Sequence, residues 1–416
     1  MTIQRFSVIL FTLFVLTSGG RLDAQAGRQA APSFPRNKPA INRDFLHPDP
    51  GGLIKMYDTL KLVFIGDVMQ HGSQIRSALT EGADPADPAS YDYSSAFKYI
   101  EPFLQEADIA VANMEFPMGG APYKGYPVFS APESIVWQAK KSGINLFLLA
   151  NNHLLDMGER GLANTLQVYK RSGEKYIGAY TSPAEEEREN PVIFNLKETK
   201  IAILNFTYGT NGFPVPAPYK MNLMDSTHVK EVIRRAKERG AEFIIAAPHW
   251  GEEYRLYPGE TQKRWAKMLF REGVKVIIGS HPHVPQTAEI YYKENQIPLT
   301  EKNDSRPISN KEVEKLIFYS LGNYISNQSI PDYSQLELLV QIKLVKDRFS
   351  NKIIVLPPDY TFLWCFKKNE FEKDYTVIPV KNLMDKEELV RDKAQYRRMM
   401  KTYKYILDKK LIKHIY

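Results

Sequence analysis

The sequence contains a single cysteine, Cys365, among its 416 residues. One thiol cannot form an internal disulfide, so the fold must be stabilised by packing alone. Aromatic neighbours in the segment 360–366 (Tyr-Thr-Phe-Leu-Trp-Cys-Phe) predict that this thiol is buried rather than reactive. With 43% hydrophobic residues, a chain of this length can bury a large core without covalent cross-links.

Long apolar runs are also scarce, and the most apolar one lies near the start. Arg5 precedes an apolar stretch over 6–17 that is too short to span a bilayer, and Ala24-Gln-Ala26 offers small residues at cleavage spacing. We therefore expect residues 1–26 to be a secretory signal cleaved near Ala26, and the mature protein to be exported, either periplasmic or extracellular. No cysteine follows the stretch, so no lipid anchor is expected, and no later run predicts a membrane span.

Most of the chain lacks an excess of charge of either sign. The formal net charge is +7, but residues 386–416 alone hold ten Lys and Arg against four Asp and Glu. The nearly neutral remainder does not offer the basic face that nucleic-acid binding requires. Helical spacing of apolar residues over 386–414 predicts a basic amphipathic helix within a C-terminal extension, 367–416. That helix either packs on the body through its apolar stripe or contacts an anionic membrane or polymer.

The pattern along the chain predicts one large domain between two flanking segments. Residues 27–56 are rich in Pro, Gly, Ala and Arg and carry no period, which predicts a linker or N-terminal arm. Over 57–366, apolar strand runs alternate with helical patterns, as in an α/β core. Runs that begin at Leu316, Leu336 and Lys352 follow one another without helices and predict a second, more antiparallel sheet.

Possible metal ligands recur at the carboxyl ends of five predicted strands. In chain order these side chains are Asp67, Asn113, Glu115, Asn152, His153, Asp156, His249, His281 and His283. Glu252 and Glu253 follow His249 closely. Strand ends of an α/β sheet line a common crevice, so the side chains are expected to converge there. Each residue taken singly is equally well explained as a cap, a turn residue or a loop histidine, but the set favours one site.

The ligand types indicate which metals to expect. Imidazole, carboxylate and amide donors without a thiolate favour Mn, Fe or Zn over Ca. We expect one or two divalent ions. Metals held in this way stabilise charge on a phosphoryl or carbonyl oxygen, which predicts hydrolysis or group transfer.

Six motifs in a fixed order carry a resemblance to a known family. They are Gly-Asp-Val-Met (66–69), Asn-Met-Glu (113–115), Asn-Asn-His-Leu-Leu-Asp-Met-Gly (151–158), His-Trp-Gly-Glu-Glu (249–253), Gly-Ser-His-Pro-His-Val (279–284) and Ser-Leu-Gly-Asn (320–323). Over about residues 60–345 the chain resembles the CapA family, which is linked to poly-γ-glutamate capsule synthesis and is similar to calcineurin-like metallophosphatases. The resemblance implies an α/β fold, a metallophosphatase-like sandwich of two mixed β-sheets flanked by helices.

The resemblance also implies two metal positions that share one carboxylate. Asp67 and His283 would bind the first metal, and Glu115 would bridge both. The second metal would be bound by Asn152, His249 and His281. At the place where phosphatases carry a further histidine for the first metal, this chain has Met69, and the nearby His71 is shifted by two residues.

Two catalytic candidates follow from the third motif. The resemblance implies that His153 protonates the leaving group, and Asp156 is the second candidate beside it. The chain would then act on an anionic polymer or a phosphoester, with membrane proteins of capsule synthesis as partners. The alternative is a non-catalytic component that binds poly-γ-glutamate or assists assembly of the polymer.

Overall fold

The computed structural model describes residues 57–293 and 312–415, apart from 369 and 372. The signal sequence predicted over 1–26 and the arm predicted over 27–56 lie outside these residues.

Eighteen strands form within the described residues. They are β1 (Tyr57–Val68), β2 (Ile109–Met114), β3 (Leu146–Leu148), β4 (Lys175–Ile177), β5 (Ala179–Tyr180), β6 (Val192–Leu196), β7 (Thr199–Thr207), β8 (Lys220–Met221), β9 (Phe243–His249), β10 (Val276–Ile278), β11 (Ala288–Tyr292), β12 (Val313–Phe318), β13 (Asn323–Ile325), β14 (Leu336–Asp347), β15 (Ile353–Val355), β16 (Asp359–Phe366), β17 (Thr376–Pro379) and β18 (Ile412–Ile415).

Nine α-helices form in the same part of the chain. They are α1 (Gly72–Ala78), α2 (Ser94–Phe97), α3 (Glu101–Gln105), α4 (Ser134–Lys141), α5 (Gly158–Ser172), α6 (Pro183–Glu189), α7 (Ser226–Glu238), α8 (Glu260–Arg271) and α9 (Lys393–Asp408). Local chemistry sets their ends. The Asp225 carboxylate caps α7 by accepting from the backbone N–H of His228 at 2.8 Å, and α5 stops at Gly173, whose φ is 74°.

Sixteen strands join into one mixed sheet, whose main path is β4-β3-β2-β1-β14-β15-β12-β10-β9-β7-β6. The strands β1 to β4 pair in parallel, as do β7, β9, β10 and β12. The two end strands of the path, β4 and β6, contact each other. The sheet therefore folds over into two mixed layers, which is the sandwich that the sequence predicts.

The strands predicted to form a separate antiparallel sheet instead join the two layers. β14 pairs antiparallel with β1, β12 pairs in parallel with β10, and β15 pairs with both β14 and β12. The prediction of a separate sheet was wrong because an apolar run identifies a strand but does not identify the strand beside it.

Side-chain alternation explains how both faces of the layers are buried. Val63 and Ile65 of β1 pack with residues of the helices α4 and α5, and Ala202 and Leu204 of β7 pack with residues of α7 and α8. The intervening side chains, such as Leu62 and Ile201, are also buried. Because successive side chains point to opposite faces, these residues fill the space between the layers.

The C-terminal segment contributes to the same sheet. β17 pairs with β16, and β18 pairs with β11. The predicted C-terminal helix is present as α9, which buries Tyr396, Met399 and Ile406, and Cys365 is buried as predicted. The boundary placed at residue 366 stays a prediction.

Within the described residues, no helix has both the length and the apolar character needed to cross a membrane.

Candidate metal centre

The predicted ligands lie where strands of both layers end. Asp67 is the second-last residue of β1 and pairs in register with Asn113 of β2. His249 ends β9, and an isolated bridge joins it to Ser280 after β10. The eight residues predicted as metal ligands or catalytic groups are buried, namely Asp67, Glu115, Asn152, His153, Asp156, His249, His281 and His283. Parallel pairing thus brings distant parts of the chain to one edge of the fold.

The first candidate group consists of Glu115, His249 and His281, whose ligand atoms all lie within 4.8 Å of one another. His249 Nε2 is 3.5 Å from Glu115 Oε1 and 2.7 Å from Asn152 Oδ1. The other ring nitrogen, Nδ1, faces the Ser280 hydroxyl at 3.0 Å. Four side chains, with Asn152 as the fourth, therefore surround one point.

The second candidate group consists of Asp67, Glu115 and His283, within the same 4.8 Å limit. His283 Nδ1 is 3.2 Å from Asp67 Oδ2, and His283 Nε2 is 3.7 Å from Glu115 Oε1. Asn113 donates to Asp67 Oδ1 at 2.8 Å and so orients that carboxylate. Glu115 belongs to both groups, which is the arrangement required of a bridging carboxylate.

The pKa values of the two histidines of the His-Pro-His loop are shifted in opposite directions. Burial lowers the pKa of His281 well below its usual value, and the nearby His249 and His283 lower it further. Burial would also lower the pKa of His283, but the charge of Glu115 and the hydrogen bond to Asp67 raise it to about 9. A neutral imidazole is the form that binds metals, whereas the carboxylates around His283 attract positive charge.

The Asp67 carboxylate responds in the complementary direction. Burial would raise its pKa, but the hydrogen bond and charge of His283 hold the pKa below its usual value. A buried anionic carboxylate needs a cation or several donors close by. Asn113, the His281 N–H and His283 surround Asp67 with donors, and a divalent ion would add further positive charge.

The backbone of the loop is held in a sparsely populated conformation. The φ angles of His281 and His283 are 97° and 59°, values that side chains with a Cβ rarely adopt. The loop is fixed by the His281 N–H, which donates to Asp67 Oδ2 at 3.2 Å, and by Asn323, whose amide donates to the His283 carbonyl at 3.2 Å. Strain of this kind is concentrated at functional sites.

Three polar atoms in the centre are buried and have no hydrogen-bond partner. They are Asn113 Oδ1, Glu115 Oε1 and His281 Nδ1. Leaving such atoms unsatisfied costs roughly 1–3 kcal/mol each. Glu115 Oε1 and a His281 ring nitrogen are the kinds of donor atom that a metal uses, so the residues fit a divalent ion.

His153 and Asp156 form a hydrogen-bonded pair beside these groups. His153 Nδ1 lies 2.9 Å from Asp156 Oδ2, and the same oxygen accepts from the backbone N–H of Phe129 at 3.0 Å. The Phe129 ring packs edge-on against the His153 ring, with a centroid separation of 4.7 Å. The imidazole is therefore fixed through Nδ1, and Nε2 is the nitrogen suited to proton transfer.

Neither Met69 nor His71 supplies the further imidazole. Met69 is buried in the hydrophobic core that also contains Val63 and Ile65 of β1. The His71 ring interacts with Gln74 Oε1 at 3.0 Å and accepts from the backbone N–H of Asn327 at 3.3 Å. Among the residues that the structure describes, neither side chain belongs to a candidate metal group.

Two residues that the sequence analysis did not assign also lie at the site. Glu253 forms a third group with His281 and His283, and it is exposed, unlike the other ligands. Asn211 Oδ1 accepts from the Asn152 amide at 3.2 Å, and its own amide faces His153 Nδ1 at 3.4 Å. Proximity to His249 was a weak signal for Glu253, and no sequence signal pointed to Asn211.

The sequence matches a family of capsule proteins. Residues 61–328 match the family model described as "Bacterial capsule synthesis protein PGA_cap". The capsule biosynthesis protein CapA of Bacillus anthracis is 26% identical over 282 residues, which cover 65% of this chain and 61% of that protein. The PGA biosynthesis protein CapA of Bacillus subtilis is 27% identical over 286 residues, covering 66% of each chain. The chain thus spans less than two thirds of the length of these relatives.

Two solved structures align with most of the chain at low sequence identity. A phosphatase from Mycoplasma pneumoniae aligns with a TM-score of 0.42 at 14% identity, covering 80% of this chain and 100% of the other. The calcineurin-like phosphoesterase YfkN from Bacillus subtilis aligns with a TM-score of 0.41 at 12% identity, covering 84% and 99%.

Proposed function

The chain belongs to the PGA_cap family of bacterial capsule synthesis proteins, and we propose that it is an exported, metal-dependent hydrolase or transferase. Its substrate would be a phosphoester or an anionic polymer, in the synthesis of poly-γ-glutamate or a related surface polymer. The observation that carries the proposal is the pair of buried ligand groups that share Glu115. Mn, Fe or Zn would suit these ligands.

The site contains the parts that such a reaction needs. A divalent metal bound there would polarise a phosphoryl or carbonyl oxygen of the substrate and lower the pKa of a water molecule. Asp67 and Glu115 provide the negative charge that holds the ion, and His281 provides a neutral nitrogen. His153 is oriented by Asp156 at 2.9 Å, so that its Nε2 can hand a proton to the leaving group.

The test is turnover by the purified full chain, loaded with Mn²⁺ or Zn²⁺. Phosphomonoester and phosphodiester probes and poly-γ-glutamate are assayed in parallel. The double variant His281→Ala and His283→Ala should lose bound metal and turnover together. His414→Ala is the matched control. Among the described residues, that histidine contacts Tyr292 on β11 and belongs to no candidate metal group. Full turnover in the double variant would contradict the proposal.

The second candidate function is polymer binding without catalysis, and one observation favours it. Helix α9 buries one side and exposes Arg397, Lys401 and Lys404 on the other. Poly-γ-glutamate carries many carboxylates, so these basic side chains could bind it, or an anionic membrane beside the proteins of capsule synthesis.

Charge reversal separates the two candidates. If polymer binding depends on α9, Lys401→Glu with Lys404→Glu should weaken salt-sensitive binding of poly-γ-glutamate and leave turnover unchanged. If the metal centre binds the polymer, His281→Ala should abolish binding instead. Export is tested separately by sequencing the N-terminus of the secreted protein, which should begin just after Ala26.

A further inference from the structure

The loop that follows β9 is tied to the loop that carries the paired histidines. The backbone N–H of Trp250 donates to the Ser280 carbonyl at 3.0 Å, and the N–H of Tyr254 donates to the Pro282 carbonyl at 2.8 Å. The Trp250 indole is buried and donates to the Tyr319 carbonyl at 3.0 Å. The segment between these anchors therefore runs alongside the paired histidines.

The conformation of this segment is specified by two unusual backbone positions. Gly251 has a φ of 101°, and a Cβ there would come within 2.7 Å of Gln262. Tyr254 has a φ of 62°, which is rare for a bulky residue. This backbone conformation places the Glu253 carboxylate beside His281 and His283, and the ligand atoms of the three residues lie within 4.8 Å of one another.

The two buried groups differ in the number of ligand side chains that they contain. Glu115, Asn152, His249 and His281 give the first position four side chains, which is a full tetrahedral set. The second position has only Asp67, Glu115 and His283. Met69 lies in the core and His71 is engaged with Gln74, so neither completes that set.

We propose that Glu253 is a metal ligand, which reaches from the solvent side to complete the position held by Asp67, Glu115 and His283. The inference rests on the proposed metal-dependent function. Glu253 approaches from the exposed side, whereas Asp67 and Glu115 are fully buried. Glu253 is grouped with His283, which belongs to that position, and with His281, which belongs to the first position.

Replacement of an imidazole by a carboxylate also changes which ion is preferred. Three carboxylates and one imidazole form a donor set rich in oxygen, and oxygen donors suit Mn²⁺, whereas imidazole suits Zn²⁺ and Fe²⁺. We therefore expect the position completed by Glu253 to prefer manganese, and the position with two imidazoles to prefer zinc or iron.

The experiment measures Mn²⁺ binding to the full chain by calorimetry and by electron paramagnetic resonance, without any substrate. Glu253→Gln keeps the size of the side chain and removes its charge. We expect the weaker Mn²⁺ site to lose at least about tenfold in affinity, since even outer-shell partners contribute about 10–100-fold. The stronger site should not change.

Glu252→Gln is the matched control. Glu252 is adjacent and equally charged, it is exposed, and its carboxylate faces Arg255 at 3.4 Å. In the described part of the chain, it belongs to no candidate metal group. Equal Mn²⁺ binding by the Glu253→Gln and Glu252→Gln chains would overturn the proposal, as would a wild-type chain with one site that Glu253→Gln leaves unchanged.

A second variant tests the ligand role directly. Glu253→His restores an imidazole and should shift the preference of the weaker site from Mn²⁺ towards Zn²⁺ by at least about tenfold. An unchanged preference would contradict the assignment. Neither result depends on turnover. If the wild-type chain is inactive and Glu253→Gln still weakens a Mn²⁺ site, the result counts against the enzymatic function but supports Glu253 as a ligand.

Discussion

His281 and His283 are separated by one proline, yet they occupy opposite electrostatic environments. His281 lies among other imidazoles, and burial with those neighbours lowers its pKa. His283 lies between two carboxylates, which raise its pKa to about 9 despite burial. Both residues adopt positive φ, and each belongs with Glu115 to a different candidate metal group. A short motif thus contributes one histidine to each of two candidate metal groups.

Removal of the shared carboxylate should have the largest effect on this comparison. Glu115→Gln keeps the size of the side chain but removes the charge from both ligand groups. We expect metal affinity at both positions to fall by more than about 100-fold, beyond the loss expected for an outer-shell partner. Calorimetric titration with Mn²⁺ and Zn²⁺ measures this. Loss at one position only would show that Glu115 does not bridge.

Loss of His153, the proposed proton donor, should reduce turnover without changing either candidate metal position. His153→Ala removes the imidazole that Asp156 orients at 2.9 Å. General acid catalysis contributes roughly 10²–10⁴-fold, so kcat should fall by about that factor. Metal content, measured by elemental analysis, should stay at the wild-type value. A parallel loss of metal would place His153 among the ligands instead.

Deletion of a single imidazole should lower metal affinity at one candidate position and leave the other unchanged. His249→Ala should weaken the position that includes Asn152 by about 100-fold, because it removes one of four ligands, and it should spare the position of Asp67. His283→Ala should do the reverse. Titrations of the two variants under identical conditions check this. Equal loss of both sites in either variant would indicate a single ion.

The sequence predicts the strand ends well because buried strands have a strong pattern and parallel pairing brings their ends together. Asp67, His249 and the paired histidines follow from that rule, and each of them belongs to a group of candidate ligands whose atoms lie within 4.8 Å of one another, although their roles stay predictions. Family membership and the mixed two-layer fold are confirmed.

Residues on irregular loops could not be predicted in the same way. Glu253 reaches the site because the Trp250 and Tyr254 amides bind the neighbouring loop, and those bonds have no sequence pattern. The pairing of β14 with β1 was missed for a related reason, since it joins positions that are distant in the chain. Loop geometry and long-range register depend on tertiary contacts.

The smallest expected effect concerns Asn211, which is exposed and lies in the loop after β7. Its Oδ1 accepts from the Asn152 amide at 3.2 Å, which leaves Asn152 Oδ1 directed at His249 Nε2, 2.7 Å away. Asn211→Ala removes the acceptor that selects this orientation of the Asn152 amide. We expect affinity at the position of His249 to fall about tenfold, with no change at the position of His283.

Asn211→Asp provides the control, because aspartate keeps an acceptor for the Asn152 amide. Its metal affinity should stay close to the wild-type value, whereas Asn211→Ala should not. Zn²⁺ titration of both variants decides between orientation and simple loop destabilisation. If the two substitutions weaken binding equally, the amide is not oriented by Asn211, and the fuller ligand set of the His249 position is fixed by the strand ends alone.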